Sequence, residues 1–260
     1  MSITDSYDGF LIDLDGVVWL GHEPIPGAAG ALATLAGAGK AVAFVTNSPR
    51  VSPASQARLL RDQGVECDPD QVITAGSTLL SLARGEVGEA ARILATGTPD
   101  FLRQVTDAGF EALASDRWGE AQAVLVTGHP RFDYKELKAT SMAVRSGAFF
   151  AATGRDPTMP MPDGLWPGTG SILAAIEVAS GRRATIAGKP ERPIFAAGLK
   201  ALGLAAGSRV AMIGDRLDTD VGGAQDAGLD GILVSGNQSV PPDTGITADH
   251  EITSLADLVN

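Results

Sequence analysis

Along this chain, short apolar runs ending on glycine, threonine or aspartate alternate with stretches whose apolar positions recur at helical spacing. Residues 10–13 and 41–46 read as buried strands, and 28–38 and 53–63, the second closed by Gly64, as helices. The rhythm returns at the far end, with strands predicted at 184–187, 209–213 and 231–234 and helices at 193–202 and 221–227. Strand–helix–strand alternation predicts parallel pairing, because the helix carries the chain back to the starting edge of the sheet. The two ends therefore read as halves of one doubly wound parallel-sheet (Rossmann-like) core of the α/β class. Between them a second alternation, with strands at 91–95, 123–126 and 149–152 and helices at 99–108, 134–146 and 170–180, is long enough for a small α/β domain. The expected division is a core of residues 1–80 and 185–260 and an inserted α/β cap domain of residues 81–184.

The chemistry gathers at the strand ends. The run Gly9-Phe10-Leu11-Ile12-Asp13-Leu14-Asp15-Gly16 stops in two aspartates two residues apart. Positions i and i+2 share a face of a strand, so both carboxylates can converge on one point, and Gly16 lets the backbone turn tightly beyond them. Two carboxylates held together need a cation, and the pair suggests a magnesium site in which one acid is a nucleophile and the other moves protons. A calcium loop of the EF-hand kind does not fit, because the twelfth position counted from Asp13 is Pro24 where that loop needs glutamate.

Three further strand ends could join this pair. The run ending in Thr46-Asn47-Ser48 offers a hydroxyl, an amide and main-chain N–H groups suited to phosphate oxygens. Lys189, after the run at 184–187, could offset repulsion between an aspartate and an anionic substrate; a Walker A loop is excluded by Arg183 and Pro190 at its key positions. Val210-Ala211-Met212-Ile213-Gly214-Asp215 again ends on an acid. Asp215 is placed to complete a magnesium shell, Asp220 to orient a water or Lys189, and Asp218 reads as a helix N-terminal residue.

Composition narrows the partners. A net charge of -11, with no lysine-rich stretch, opposes a nucleic-acid or anionic-membrane role, while leaving room for a small anionic substrate held by local cations. One cysteine, Cys67, cannot form an internal disulfide, and no apolar run approaches membrane-spanning length; a cytoplasmic protein is expected. His22, His129 and His250 are widely spaced and lack a Cys/His framework, so packing or surface roles are favoured over zinc. Arg182-Arg183 reads as a solvated pair, and Trp19 as a packing residue close enough to the Asp13–Asp15 turn to reach a substrate.

Taken together, Asp13-Leu14-Asp15-Gly16-Val17, Thr46-Asn47, Lys189-Pro190 and Gly214-Asp215-Arg216-Leu217-Asp218-Thr219-Asp220 resemble, in that order, the four motifs of the haloacid dehalogenase superfamily of aspartate-nucleophile phosphatases. The insertion between the second and third motifs, with Pro167-Gly168-Thr169-Gly170-Ser171 before a helix, is similar to the large α/β cap of the branch that includes phosphoglycolate, pyridoxal phosphate, glycerol-3-phosphate and nitrophenyl phosphate phosphatases. The resemblance implies magnesium-dependent hydrolysis of a small phosphorylated metabolite, such as glycerol-3-phosphate or 2-phosphoglycolate, in which Asp13 attacks phosphorus and Asp15 protonates the leaving alkoxide and then activates water. It implies magnesium on Asp13, the Asp15 carbonyl and Asp215, phosphate on Thr46, Asn47 and Lys189, and association of two copies through the cap. Members of the branch often carry Thr-Asn-x-Asp where this chain has Thr153-Gly154-Arg155-Asp156, so Arg155 and Asp156 are the cap positions expected to read the leaving group.

Two other functions use similar residues. A receiver-like signalling protein also gathers acids, a hydroxyl and a lysine around magnesium and an aspartyl-phosphate, but needs no proton-transfer group at the Asp15 position and no long insertion. A phosphomutase would use the same nucleophile without net release of phosphate.

Overall fold

The computed structural model describes residues 3–21, 23–161, 163–236 and 245–259. His22 lies outside them. The chain forms two compact units, one of Met1–Thr46, Pro53–Thr74 and Lys189–Asn260, the other of Asn47–Ser52 and Ala75–Gly188.

The first unit is built on a six-stranded sheet in the order His250–Ile252, Asp230–Val234, Val210–Gly214, Gly9–Ile12, Ala41–Thr46 and Val72–Thr74, with every neighbouring pair parallel. Gly9–Ile12 is central, Ile12 pairing with Ile213 on one side and with Phe44 on the other, so the strands bearing the acids end side by side. From this strand the chain first winds outward one way through Ala41–Thr46 and later the other way through Asp230–Val234. The crevice beyond the carboxyl ends of strands at such a reversal is where doubly wound sheets bind ligands.

Alternation along the central strand assigns its two faces. Phe10 and Ile12 enter a core with Ala31, Leu32 and Leu35 of the helix Ala28–Gly37 and with Leu255 and Leu258. Leu11 faces the helix Arg192–Leu202, where a Cβ added to Gly198 would come within 2.9 Å of the leucine side chain. All four residues of Gly9–Ile12 are buried, as expected for a strand covered on both faces.

The second unit has a five-stranded parallel sheet in the order Thr185–Ile186, Phe149–Ala152, Ala123–Val126, Arg92–Thr96 and Glu111–Ala112. One face packs Ile93 and Leu125 against Leu79, Ala83, Phe101 and Val105; the other packs Leu94, Val124 and Val126 against Ala139, Val144, Leu173 and Ile176.

Several elements depart from the sequence reading. The strand expected at 184–187 shortens to Thr185–Ile186 and pairs with Phe149–Ala152, so it completes the second sheet instead of the first. Order along the chain does not say which sheet edge a short strand will meet. The helix Ala75–Val87 was not expected; Gly76, Ser77, Thr78 and Gly85 are weak helix formers, but Leu79, Leu80 and Ala83 form a buried stripe that outweighs propensity. Residue 80, the expected edge of the core, lies inside this helix. Thr158–Met161 and Gly164–Pro167 form an antiparallel hairpin within a segment whose prolines argue against strands. The short edge strand His250–Ile252 has too few residues to show a period.

Candidate active site

Asp13 leaves the central strand with its amide still in the ladder, donating to Ile213 O at 2.9 Å. The residue is 8% exposed. Lys189 Nζ lies 2.9 Å from Asp13 Oδ1 and 2.6 Å from Asp220 Oδ1, and also donates to Val45 O at 3.2 Å. Asp220 is wholly buried; its other oxygen, Oδ2, accepts the Arg216 amide at 3.0 Å. The short helical turn Leu217–Val221 that follows the strand Val210–Gly214 brings Asp220 back beneath Gly214, where an added Cβ would meet the Asp220 side chain at 2.2 Å. Asp218 turns away into an ion pair with Arg216 and accepts the Thr219 amide at 2.9 Å, in the first turn of the helical segment where it was expected.

Carboxylate oxygens of Asp13, Asp215 and Asp220 all lie within 4.8 Å of one another. One ammonium faces three acids, and the strain shows in their proton affinities. Burial drives the Asp13 carboxyl upward, with Lys189 pulling it back and Asp220 adding to the rise. Burial, reinforced by Asp220, pushes Asp215 up to about 6. For Lys189, burial alone would favour the neutral amine, but Asp13 and Asp220 overcome it and hold the ammonium well above its ordinary range. A buried set of hard oxygen donors with excess negative charge fits a divalent cation such as magnesium. Both oxygens of Asp220 are engaged, Oδ1 by Lys189 and Oδ2 by the Arg216 amide, whereas Lys189 meets Asp13 at Oδ1.

The turn after Asp13 explains its glycine. Gly16 has φ of 82°, and a Cβ there would stand 2.3 Å from Asp215 Oδ2, so this close approach of loop and acid requires glycine twice over. Amides of Val17, Val18 and Trp19 all point at Leu14 O, and the Gly16 amide donates to Trp19 O at 2.7 Å. The turn carries Trp19 back onto Asp15, whose Oδ1 accepts the indole N–H at 3.1 Å. Trp19 is thus the packing residue that was expected, with a polar contact that only the turn discloses.

Thr46 ends its strand buried, paired in register with Thr74. It stands two residues past Phe44, the partner of Ile12, and so belongs to the same carboxyl-end rim of the sheet as Asp13. Asn47 falls in the second unit, beside Gly188, where an added Cβ would lie 2.6 Å from Asn47 Oδ1 and 2.5 Å from Thr153 O. Arg155 and Asp156 also lie in the second unit. Both terminal nitrogens of Arg155 reach Glu177, at 2.8 and 3.0 Å. Arg183, expected to be merely solvated, joins the same carboxylate at 2.7 Å, and the Ala184 amide donates to it at 3.0 Å. Glu177 is 7% exposed. Burial alone would raise its pKa, but Arg155, the Ala184 amide and Arg183 together hold it down at about 2. This buried acid escaped the sequence reading; its one signal is a charge directly after Ile176 on the apolar face of the helix Thr169–Ser180. Asp156 contributes its main-chain carbonyl to the Gly170 amide at 2.8 Å. His129 sits 3.3 Å from Glu136, and His250 packs edge-on to Tyr7, in keeping with packing roles.

A family model described as haloacid dehalogenase-like hydrolase matches residues 10–111, and one described as HAD-hydrolase-like matches residues 186–258. The D-glycerol 3-phosphate phosphatase of Mycobacterium tuberculosis is 34% identical over 237 residues, covering 90% of this chain; the chain spans 64% of that relative's length. The acid sugar phosphatase of Staphylococcus epidermidis is 32% identical, with 95% of this chain and 91% of the relative covered. Among solved structures, glycerol phosphate phosphatase from Mycobacterium tuberculosis in complex with magnesium superposes with a TM-score of 0.86 at 28% identity, covering 99% of this chain and 78% of that one.

Proposed function

This chain belongs to the haloacid dehalogenase-like hydrolases, among their cap-bearing phosphatases, and we propose that it hydrolyses a small phosphomonoester through an aspartyl-phosphate on Asp13. The observation that carries this reading is the buried Asp13–Lys189–Asp220 chain with Asp215 beside it. The lysine opposes the burial that favours the neutral acid, and an ionised carboxylate is what a nucleophile at phosphorus must be.

In the first step an oxygen of Asp13 bonds to phosphorus as the bond to the leaving oxygen breaks, and Asp15 gives that oxygen a proton. In the second, Asp15 takes a proton from water as the water attacks the same phosphorus, releasing inorganic phosphate and restoring Asp13. Thr46, Asn47 and Lys189 supply donors to the phosphoryl oxygens. Asp13, the Asp15 carbonyl and Asp215 would hold magnesium, which when bound offsets the repulsion between carboxylate and phosphate.

The substrate we infer is a small polyol or carboxylic acid phosphate, such as glycerol-3-phosphate or 2-phosphoglycolate. Its support is the glycerol phosphate and acid sugar specificity in the names of two relatives. Asp156, on a loop anchored by the Arg155–Glu177 pair, is the position we assign to selection of the leaving group. A cytoplasmic location rests on the single Cys67; among the described residues no helix is long and apolar enough to cross a membrane.

The test is steady-state phosphate release from a panel of glycerol, glycolate, sugar, nucleotide and vitamin phosphates, with magnesium and with a chelator. Continuous release that needs magnesium and disappears in Asp13→Asn is expected, with hydroxylamine-labile acyl phosphate trapped on Asp13 in the wild type. A single stoichiometric phosphorylation would favour the signalling reading, and isomer formation without release a phosphomutase.

A further inference from the structure

We propose that Trp19 is a positioning residue for proton transfer: its indole N–H holds one oxygen of Asp15 and so orients the carboxylate toward the leaving group and then water. The proposal rests on the assignment of Asp15 as the proton carrier, and deepens it.

The argument begins with burial. An indole nitrogen is a donor with no acceptor capacity, and one removed from water without a partner costs free energy comparable to a lost hydrogen bond. Trp19 is 5% exposed and lies in the main core of the first unit with Leu14, Val17 and Val18, so its ring position is set by packing. The N–H is satisfied by Asp15 Oδ1 at 3.1 Å. Asp15, by contrast, is exposed. An exposed aspartate ordinarily samples several rotamers, and a carboxylate that must reach one oxygen of a substrate loses rate to each unproductive one. The rigid partner here is the tryptophan, and the mobile one is the acid.

The backbone makes the arrangement specific. Amides of three successive residues, 17 to 19, converge on Leu14 O, the Gly16 amide closes onto Trp19 O, and Asp15 and Trp19 form an isolated bridge. Residue 19 then leaves the turn in a two-residue strand, pairing with Pro24. The turn therefore holds the two residues in one register, and replacing the indole with a ring that lacks the donor would keep the packing while freeing the carboxylate.

Two measurements test the proposal. In protein labelled with indole-¹⁵N tryptophan, the Trp19 N–H resonance, assigned by its loss in Trp19→Phe, should move in Asp15→Ala and exchange faster with solvent, while those of Trp118 and Trp166 stay in place. This readout needs no substrate or metal and stands even if Trp19→Phe folds poorly, because the wild type and Asp15→Ala supply the comparison and Trp118→Phe and Trp166→Phe supply the assignment by elimination. An unmoved Trp19 resonance would overturn the contact. In the second measurement, Trp19→Phe should lower kcat for an alkyl phosphate about ten-fold with KM nearly unchanged, and lower it much less for nitrophenyl phosphate, whose leaving group hardly needs a proton. Equal losses on the two substrates would show that Trp19 acts on stability or substrate binding and overturn its role in proton transfer. Should the wild type release no phosphate from any ester, the phosphatase reading fails, whereas the resonance shift still reports on the Trp19–Asp15 contact.

Discussion

Lys189 Nζ and Asp13 Oδ1 stand 2.9 Å apart with their side chains only 3% and 12% exposed, so the cation and the proposed nucleophile exist as a pair shielded from water. Each is the reason the other can be charged. Removing the lysine leaves Asp13 and Asp220 buried without their cation, whereas removing Asp13 still leaves Lys189 the Asp220 carboxylate at 2.6 Å.

Lys189→Met should therefore do two things. With no ammonium beside it, nothing opposes the burial that drives the Asp13 carboxyl upward, and kcat should fall at least about a hundred-fold, the kinetic equivalent of about 2.7 kcal/mol. Stability should fall by about 3 kcal/mol, as for a buried pair broken on one side. Urea unfolding at pH 7 alongside phosphate-release assays checks both, and a stable, fully active Lys189→Met would refute the pairing as functional.

Magnesium affinity should depend on pH in the mildly acidic range. Asp215, pushed up to about 6 by burial and by Asp220, is substantially protonated at pH 5, and a metal must displace that proton. Calorimetric titration should show affinity rising from pH 5 to pH 7 with protons released, and Asp215→Asn should weaken binding at pH 7. The metal-free protein should show the complementary trend. Because the folded state holds this proton above the ordinary carboxylate range, the contribution is fully present below about pH 4 and is lost as pH rises through about 6. Added magnesium should reverse that loss.

Asp15→Asn should separate proton transfer from attack at phosphorus. The variant keeps the nucleophile, so hydroxylamine-labile acyl phosphate should still map to Asp13. Single-turnover rates on an alkyl phosphate should drop by at least about ten-fold more than on nitrophenyl phosphate. Equal losses on both would assign Asp15 to metal binding alone.

Glu177→Gln should loosen the second unit without touching the acid cluster of the first. The carboxylate is almost buried, while Arg155 and Arg183 are 41% and 82% exposed, so the loss should be about 2 kcal/mol, below that of a fully buried pair. Glu177 is held at about 2 in the fold, so its contribution is present above the ordinary glutamate range and disappears as pH falls toward 2. Thermal unfolding should thus separate wild type and variant at pH 7, and the gap should narrow as pH falls below the ordinary glutamate range toward 2. An unchanged difference at low pH would mean the ion pairs are not its source.

Much of the architecture is readable without coordinates, because it is local. An apolar run between turn residues makes a strand wherever it pairs, and Asp13, Asp15 and Asp215 reach a strand's carboxyl end through spacing in the chain alone. The same holds for Asp218, whose partner Arg216 lies two residues away. What tertiary structure alone decided are the choices among distant partners. Thr185–Ile186 joined the second sheet because a free edge at Phe149–Ala152 was available to it, and no pattern in two residues records that. Glu177 became a buried anchor because Arg155 and Arg183 converge on it from different elements, and Asp220, not Asp218, met Lys189 because one short turn folds it under Gly214. Burial itself is the physical reason. It changes the cost of a charge by more than any neighbour in sequence can, and a residue's burial is a property of the packed chain, not of its local order.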